Sequence, residues 1–470
     1  MRFALEHAAI RCGLLQMLLL SLALAAGSLH ALEPPHIVYI LADDLGWSDV
    51  GFHGSKLRTP NLDRLAAEGA VLNAFYVQPY SSQTRAALLT GRYPMRYGLQ
   101  TLSIAPSSRY GLPGEERTLA QALKEIGYRT AFVGNWLLGH AKPEFWPNRH
   151  GFDTFYGSLS GQVEPVLRKA AKADWRRDER LVKEEGYVTD LLARESASIV
   201  ARHDPSVPLL LIVSFNTPAQ YYGAPKALVD SYRDIADDAR RSYAAAVTAL
   251  DGAIGQVIAA LEKRRMLANT LIVFHSDNGG AVPMRFPTGE TDIQQLAADN
   301  GVFREGHTSL YEGGVRVAAL AWWPGKIAPK TIVTEPLHVT DLYPTLLKVA
   351  GAATDQRKKL DGVDAWPVIA GAQRTTRKDM LLNVDDFQGA IRIGEWKLIV
   401  HAALPSKVEL FDIANDPEEA ENKATTYPDR VKELLGRLND YAYDMAPSRY
   451  LEELSAGGRP LFWRANAPKR

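Results

Sequence analysis

A continuous apolar run, His36-Ile-Val-Tyr-Ile-Leu-Ala42, constrains the fold of this chain more than any other stretch. The run has the length of one strand, and its apolar residues do not alternate with polar ones. Strands covered on both faces show this pattern, and they lie at the centre of largely parallel sheets. The run therefore predicts a central strand, with Asp43 and Asp44 directly after its carboxyl end.

Strand and helix patterns alternate through the following part of the chain. This alternation is typical of a doubly wound α/β domain. The predicted helices are Pro60 to Glu68, Leu119 to Ile126 after a Thr118 cap, Tyr187 to Arg202 and Ala244 to Leu261, and the predicted strands are Tyr128 to Val133, Pro208 to Phe215 and Leu271 to Phe274.

The pattern changes from about Gln373 onward. Short strands at Ala390 to Ile393 and Trp396 to Val400 are separated by a Gly-Glu turn, and a closing helix is predicted from Pro428 to Tyr441. These features indicate a small α+β domain with an antiparallel sheet. The charged stretch from Asp416 to Glu421 is expected to be a solvated loop.

Residues 1–31 have the pattern of a cleaved export signal, because Arg2 and Arg11 precede an apolar run from Leu14 to Ala26. The alternative is an N-terminal anchor, but the run is short for a membrane span of about 20 residues. We therefore expect a periplasmic or secreted protein with no stable membrane anchor. Its exported part would consist of an α/β domain over residues 32–372 and a C-terminal domain over residues 373–470.

The charges of the chain are balanced, with 54 Lys and Arg residues and 54 Asp and Glu residues. This balance argues against a nucleic-acid partner recognised by bulk charge. The single cysteine, Cys12, lies within the predicted signal. The exported chain would therefore contain neither a disulfide nor a thiol to modify.

Oxygen-bearing side chains follow two of the predicted strands, at the edge where α/β sheets bind ligands. Asp43 and Asp44 follow the first strand, and Asp277 and Asn278 follow the strand at Leu271 to Phe274. Adjacent carboxylates repel one another unless a cation or solvent intervenes, and calcium requires hard oxygen ligands. Each pair alone also fits a solvated loop or a common turn. Together they predict a divalent cation site, with calcium as the expected ion.

The stretch from Pro79 to Arg92 places Ser81, Ser82 and Thr84, with Arg85, in a turn that leads into a short helix. Backbone N–H groups at a helix N-terminus favour an anion. The same turn also fits a simple helix cap, and the local sequence does not decide between these interpretations.

The run Arg85-Ala-Ala-Leu-Leu-Thr-Gly-Arg-Tyr-Pro94 resembles the signature of type I sulfatases, in which Cys-x-Pro-Ser-Arg precedes a Leu-Thr-Gly-Arg tail. The segments that begin at Gly51 and Tyr93 are most similar to the arylsulfatase B branch. Further sulfatase-like landmarks are Leu41 to Gly51, Thr59 to Asp63, Gly151 to Gly157, Ser276 to Gly280, Leu310 to Arg316, Asp341 to Leu346, Leu360 to Val363 and Leu410 to Ile413. The resemblance implies an alkaline-phosphatase-like fold: an α/β core with a doubly wound mixed sheet, and a smaller α+β C-terminal domain.

Carried over by position, the resemblance implies which residues form the metal site and which flank the nucleophile. The family's calcium ligands correspond to Asp43, Asp44, Asp277 and Asn278. The arginine beside the family's nucleophile corresponds to Arg85.

The rest of the family's machinery is substituted in this sequence. Ser81 stands where the family has the cysteine that becomes formylglycine, with Gln83 and Thr84 in place of the following Pro and Ser. One family lysine and two histidines correspond to Asn135, Leu137 and Asn216.

Histidines near these positions do not restore the lost charges fully. His307 corresponds to a second family lysine. It either supplies part of that charge, below an unperturbed pKa of about 6.5, or is a polar loop residue. His140, close to Leu137, is not expected to replace the missing histidine.

These substitutions affect the chemistry that the resemblance implies. In the family, one hydroxyl of a hydrated formylglycine attacks sulfur, and loss of the other hydroxyl's proton expels sulfate, whereas serine has one hydroxyl only. Each missing charged donor typically costs about 10²–10³ in rate. The sequence therefore predicts a sulfatase-family protein without ordinary sulfatase activity that binds a sulfated or other anionic glycan, or a protein partner.

Two enzymatic alternatives remain open at this stage. In the first, Ser81 attacks a sulfate or phosphate ester directly, an aryl ester included, while Arg85 and His307 stabilise charge. In the second, Ser81 is itself oxidised to formylglycine. The second is disfavoured, because members matured from serine usually keep Pro or Ala at the position of Gln83.

Overall fold

The computed structural model describes residues 34–161, 163–164, 166–167, 174–219, 223–282, 297–354, 358–402 and 406–456. The predicted export signal lies outside these residues. Pro35 and the residues after it belong to one compact unit.

The strands carry the numbers β1 to β19 in chain order. They are β1 His36–Ala42, β2 Ala70–Leu72, β3 Phe75–Tyr76, β4 Arg129–Asn135, β5 Thr154–Ser158, β6 Val166–Leu167, β7 Arg176–Arg177, β8 Arg180–Leu181, β9 Gly186–Tyr187, β10 Leu209–Ser214, β11 Thr270–Ser276, β12 Arg316–Val317, β13 Ala319–Trp322, β14 Thr331–Val333, β15 Leu337–His338, β16 Met380–Val384, β17 Gln388–Ile393, β18 Trp396–His401 and β19 Lys407–Asp412.

The α-helices are numbered in the same way. They are α1 Pro60–Glu68, α2 Ser81–Thr90, α3 Leu119–Lys124, α4 Val188–Arg202, α5 Lys226–Asp230, α6 Asp238–Lys263, α7 Glu312–Val315, α8 Leu342–Val349, α9 Trp366–Ile369, α10 Pro428–Tyr443 and α11 Arg449–Ala456. Short 3-10 turns lie at Gly51–His53, Pro94–Arg96, Pro143–Phe145, Pro147–Arg149, Leu267–Asn269 and Val339–Asp341.

Ten of the described strands form one mixed sheet in the order β14-β2-β13-β11-β1-β10-β4-β5-β7-β8. The five strands β11, β1, β10, β4 and β5 run parallel. On one side β13 pairs antiparallel with β11, and β2 pairs antiparallel with β13. Strand β1 is central and has exactly the predicted bounds. The doubly wound mixed sheet of the alkaline-phosphatase-like fold is thereby confirmed.

Successive side chains of β1 face two separate core layers, as the pleat of a strand requires. Ile37, Tyr39 and Leu41 pack in one layer, which also contains residues of α2, α3 and α8. Val38, Ile40 and Ala42 pack in the other, with residues of α1, α4 and α6. Helices on both faces explain why the run is apolar without alternation.

Helix α6 is long and apolar enough, by length and composition, to cross a membrane. However, 67% of its most apolar 18-residue window is buried inside the protein, against the central sheet. It is also longer at both ends than the predicted helix at Ala244 to Leu261. Its apolar composition is therefore that of a helix buried in the core.

The C-terminal part contains a four-stranded antiparallel sheet in the order β16-β17-β18-β19. Helix α10 packs on this sheet through Leu434, Leu438 and Tyr441. The antiparallel sheet and closing helix are as predicted, and the expected boundary near residue 373 falls between α9 and β16.

The expectation that Asp416 to Glu421 is a solvated loop was wrong at one residue. The Glu419 side chain is completely buried, with Oε1 at 2.9 Å from the Lys397 Nζ atom. Its Oε2 atom accepts a hydrogen bond of 2.6 Å from the Glu312 backbone N–H. The local sequence around Glu419 does not show that its partners, Lys397 and Glu312, come from distant parts of the chain.

Candidate functional site

Four oxygen-bearing side chains meet at the carboxyl edge of the central sheet. Strands β1 and β11 are parallel and in register, with Ala42 opposite Ser276, so the residues after both strands emerge together. Ligand oxygens of Asp43, Asp44 and Asp277 all lie within 4.8 Å of one another. Asn278 joins them, because its Nδ2 atom donates to Asp44 Oδ1 at 2.6 Å. The predicted grouping of these four residues therefore exists in the fold.

The negative charge of the three carboxylates in this cluster is only partly compensated by neighbouring basic side chains. Burial, followed by the charges of Asp277 and Asp44, raises the pKa of Asp43 well above its usual range. Burial also raises the pKa of Asp44, with His307 opposing the shift. Three carboxylates so close together require protons or a cation to offset their repulsion.

The donor set fits a hard divalent cation such as calcium. Carboxylate and amide oxygens are its preferred ligands, and they converge here from two strand ends. Asp43, Asp44, Asp277 and Asn278 are thus the residues that would hold the ion.

Ser81 is the first residue of helix α2, and its side chain reaches this cluster. It is 8% exposed, and its Oγ atom donates to Asn278 Oδ1 at 3.1 Å. Arg85, one turn later, donates through Nη1 to Asp277 Oδ2 at 2.5 Å and to the Ser81 carbonyl at 3.1 Å. Helix α2 thereby brings the hydroxyl and the guanidinium to the same carboxylates.

The simple helix-cap interpretation of this turn does not hold. Tyr80 is the N-cap residue of α2, and its side chain makes no capping hydrogen bond. Ser82 Oγ donates to the Leu137 carbonyl at 2.7 Å, and Thr84 Oγ1 donates to the Gln78 carbonyl at 3.1 Å. The hydroxyl groups therefore connect α2 to neighbouring segments.

Gln83, which replaces the proline of the family signature, is also fully buried. Its Nε2 atom donates to the Gln100 carbonyl at 2.5 Å, and the same carbonyl accepts from Asn383 Nδ2 at 3.1 Å. The substituted position thus contributes to the packing between α2 and the C-terminal sheet.

Asn135 ends β4 and lies beside the cluster. Its Nδ2 atom is 3.4 Å from Asp43 Oδ2, and its buried Oδ1 atom has no hydrogen-bond partner among the described residues. Asn216 follows β10 and is also buried, with its Nδ2 atom likewise unpartnered within the described part of the chain. The next residue, Thr217, accepts a hydrogen bond of 3.1 Å from the Asp43 backbone N–H. Two neutral amides therefore border the cluster where the sequence comparison placed a lysine and a histidine.

Leu137 adopts a left-handed backbone conformation, with φ at 58°. Its side chain packs so closely on Gly161 that a Cβ atom there would lie 2.6 Å from Leu137 Cδ2. A hydrocarbon at this position neither donates a proton nor offers a charge.

His307 is the histidine that the fold brings to the carboxylates. Its Nδ1 atom lies 3.3 Å from Asp44 Oδ1, and its side chain is 27% exposed. His140 instead makes a 2.8 Å hydrogen bond through Nε2 to the Pro106 carbonyl, away from the cluster. Among the described residues, the basic side chains in contact with the cluster are therefore Arg85 and His307.

Two residues that sequence analysis missed help to hold this site. Ser214, the last residue of β10, accepts hydrogen bonds from Arg85 Nη2 at 2.9 Å and Nε at 3.1 Å. Tyr243 of α6 accepts a hydrogen bond of 3.0 Å from the Gly46 backbone N–H through its hydroxyl. Ser214 could have been found, because it is a polar residue at the carboxyl end of an apolar strand. Tyr243 lies inside a helix, where the local sequence does not mark it as a site residue.

Comparison with known proteins identifies the family. The family model described as Sulfatase matches residues 35–352, which is more than half of the chain. This chain belongs to the sulfatase family. The model for the C-terminal region of N-sulphoglucosamine sulphohydrolase also matches, over residues 303–443. The second match covers the antiparallel sheet of this chain and all of helix α10.

Individual sulfatases are similar over most of their length. Arylsulfatase J of Mus musculus is 33% identical over 477 aligned residues, covering 88% of this chain and 77% of the relative. N-acetylgalactosamine-6-sulfatase of Canis lupus familiaris is 33% identical over 406 residues, covering 81% and 74%. The crystal structure of Ps i-CgsB in complex with k-i-k-neocarrahexaose superposes with a TM-score of 0.80 at 30% identity, covering 88% of this sulfatase and 94% of the other chain.

Proposed function

We propose that this sulfatase-family protein binds calcium at Asp43, Asp44, Asp277 and Asn278 and uses that site to bind a sulfated or other anionic glycan without ordinary sulfatase turnover. The observation that supports the proposal most directly is the chemistry around Ser81. Its hydroxyl donates to Asn278, and a neutral amide, Asn135, borders the same carboxylates. An amide oxygen is a poor base, and a hydroxyl that donates to one is a weak nucleophile.

The available charges also favour binding over catalysis. Lysine and histidine donors aimed at a developing oxyanion are typically each worth about 10²–10³ in rate. Amides at Asn135 and Asn216 and a hydrocarbon at Leu137 provide none of that charge, although the losses do not simply multiply. Arg85 remains, with its guanidinium already engaged by Asp277.

A divalent cation would offset the negative charge of the three carboxylates. When bound, it would supply a positive centre for an anionic group of the ligand. Arg85 would hold the same group from the side of helix α2, and Asn135 Nδ2 and Asn216 Nδ2 would donate neutral hydrogen bonds. Asn135 and Asn216, unlike a lysine or a histidine, cannot transfer a proton to the bound group.

The proposed ligand class follows from the relatives. The matched proteins include an N-acetylgalactosamine-6-sulfatase and a structure in complex with a carrageenan-type hexasaccharide. These names describe those proteins, and together with the anion-binding geometry they support an anionic glycan as the ligand here. The export pattern of residues 1–31 supports a periplasmic or secreted location, where such polymers are encountered.

Unfolding with and without calcium tests the cation site. Calcium at about 100 times its dissociation constant should add about 2.7 kcal/mol to the free energy of unfolding. The Asp44→Asn variant should lose most of this gain, whereas Asp440→Asn, an exposed carboxylate on α10, should keep it. Equal melting temperatures in calcium and in chelator would remove the cation from the proposal.

Turnover assays test the absence of sulfatase activity. Purified protein should not hydrolyse aryl sulfate or aryl phosphate above a Ser81→Ala control, with calcium or with chelator. The mass of the Ser81 peptide should be that of unmodified serine. Turnover that disappears in Ser81→Ala would establish the hydrolase alternative, and a peptide lighter by one pair of hydrogens would establish formylglycine.

A further inference from the structure

A second, separate cavity lies between the C-terminal sheet and the short strand β3. Its volume is about 580 Å³, and its lining comes from residues 73–74, 316, 334–336, 374–375, 377–380, 392, 394–395, 413–414 and 417. None of these is a residue of the calcium cluster or of the Ser81 turn. The cavity is therefore distinct from the candidate functional site.

Five cationic side chains line this cavity: Arg316, Arg374, Arg377, Lys378 and Arg392. Arg316 is fixed by the Asn73 carbonyl, which accepts from its Nη2 atom at 2.8 Å. Arg377 is buried and paired with Asp341. These internal contacts make the inner wall of the cavity rigid before any ligand binds.

Arg374 and Lys378 differ from the inner cations. Both are exposed at the rim, and within the described ranges neither has a hydrogen bond or an ion pair. They are four residues apart in one segment and line the same cavity. Two long cationic side chains without a protein partner remain available to a ligand.

Three carboxylates also line the cavity, against the five cations. Asp379 is already paired with Arg437 at 2.7 Å and accepts from the Tyr441 hydroxyl at 2.6 Å. Glu335 accepts a 3.1 Å hydrogen bond from the Thr375 backbone N–H. Only Glu395, which is exposed, lacks such a donor among the described residues, so the net charge of the lining favours an anion.

The floor of the cavity is apolar. Ala74, Met380 and Ile413 line it and are 5%, 2% and 3% exposed, respectively. An apolar floor under a cationic rim matches a sugar ring that carries an anionic substituent, because the ring has an apolar face and the substituent a charge. We propose that this cavity binds an anionic sugar unit, with Arg374 and Lys378 holding its sulfate or carboxylate group.

This proposal goes beyond the calcium-dependent function and does not depend on it. The probe is k-i-k-neocarrahexaose, with binding measured by calorimetry at low ionic strength in chelator, where the cation site is inactive. The Arg374→Ala/Lys378→Ala variant should bind about tenfold more weakly or worse, the effect of losing two charge-assisted hydrogen bonds. The control, Lys263→Ala/Lys326→Ala, removes two exposed charges outside the cavity and should bind like wild type.

Inorganic sulfate distinguishes recognition of the sugar from recognition of the anion alone. The hexasaccharide should bind at least tenfold more tightly than sulfate, and equal affinities would overturn the claim for a sugar unit. Loss of all binding in chelator, or equal weakening in the two double variants, would overturn the cavity proposal but not the calcium site. Binding that survives in chelator but never increases with calcium would instead overturn the proposed function.

All four substituted side chains are exposed, and matching melting temperatures confirm that the variants fold.

Discussion

Replacement of Lys397 by methionine should lower the free energy of unfolding more than the removal of any exposed ion pair. The Lys397 ammonium is completely buried, and its Nζ atom lies 3.0 Å from Glu312 Oε1 and 2.9 Å from Glu419 Oε1. Burial favours the neutral form of Glu312, but Lys397, with weaker help from Arg316 and Arg392, outweighs it and lowers the pKa of Glu312 to about 2. Methionine fills the space but leaves two buried carboxylates without this cation.

The expected loss is about 3–5 kcal/mol, the usual cost of removing one partner of a buried ion pair. The carboxylates cannot easily turn toward water. Glu312 Oε2 accepts from the Tyr76 hydroxyl at 2.6 Å, and Glu419 Oε2 accepts from the Glu312 backbone N–H at 2.6 Å. The matched control is Lys226→Met, which removes an exposed i,i+4 pair with Asp230 and should cost about 0.5 kcal/mol or less.

Urea unfolding at pH 7 measures the free energy of unfolding of both variants. The deficit of Lys397→Met should shrink at pH 5, because the two carboxylates can then take up protons in the folded state. A Lys397→Met loss below 1 kcal/mol, or one equal to that of Lys226→Met, would refute this account.

Three further changes test other parts of the structure. Arg85→Gln removes the positive charge beside Asp277 and should raise calcium affinity about tenfold in calorimetry while anion binding is lost; weaker calcium binding would contradict the charge argument. Asp251→Ala should cost about 2–4 kcal/mol in urea unfolding, since its carboxylate accepts from Asn61 Nδ2 and from two backbone N–H groups that begin helix α1. Burial raises the pKa of Glu419 to about 7, so the folded state binds more protons than the unfolded state from about pH 4.5 to 7. The free energy of unfolding should therefore fall as the pH rises through this range. Glu419→Gln should make that fall smaller, and an unchanged slope in the variant would contradict this assignment.

The central sheet was predictable because its signals are local. The His36–Ala42 strand shows its double burial in seven consecutive residues, and Thr118 begins helix α3 with a complete capping box. By contrast, β2 has three residues and no usable pattern, because it exists through pairing with β13 and β14. Strands that depend on distant partners leave no local periodicity to read.

The grouping of the four side chains at the site was predictable from the topology of the sheet. Parallel strands β1 and β11 place Asp43 and Asp277 at one edge, and that arrangement follows from strand direction alone. The burial of Glu419 was not predictable, because its partner Lys397 comes from β18 and its second hydrogen-bond donor from the start of α7. Charged residues appear solvated in a sequence whenever their partners are remote.

The carboxylate cluster is also a structural junction, so its residues have a structural role that does not depend on turnover. Asp277 accepts hydrogen bonds from Arg85 Nη1 and from the Asp44 backbone N–H at 3.2 Å, so it joins helix α2 to the end of β1. Gly279, two residues later, packs so closely on the Gly313 carbonyl that a Cβ atom would lie 1.6 Å from its oxygen. A change at Ser81 removes one hydrogen bond to Asn278, whereas loss of the Asp277 carboxylate would leave the buried Arg85 without its ion-pair partner. Asp277 should therefore tolerate substitution less than Ser81, whether or not the protein hydrolyses sulfate esters.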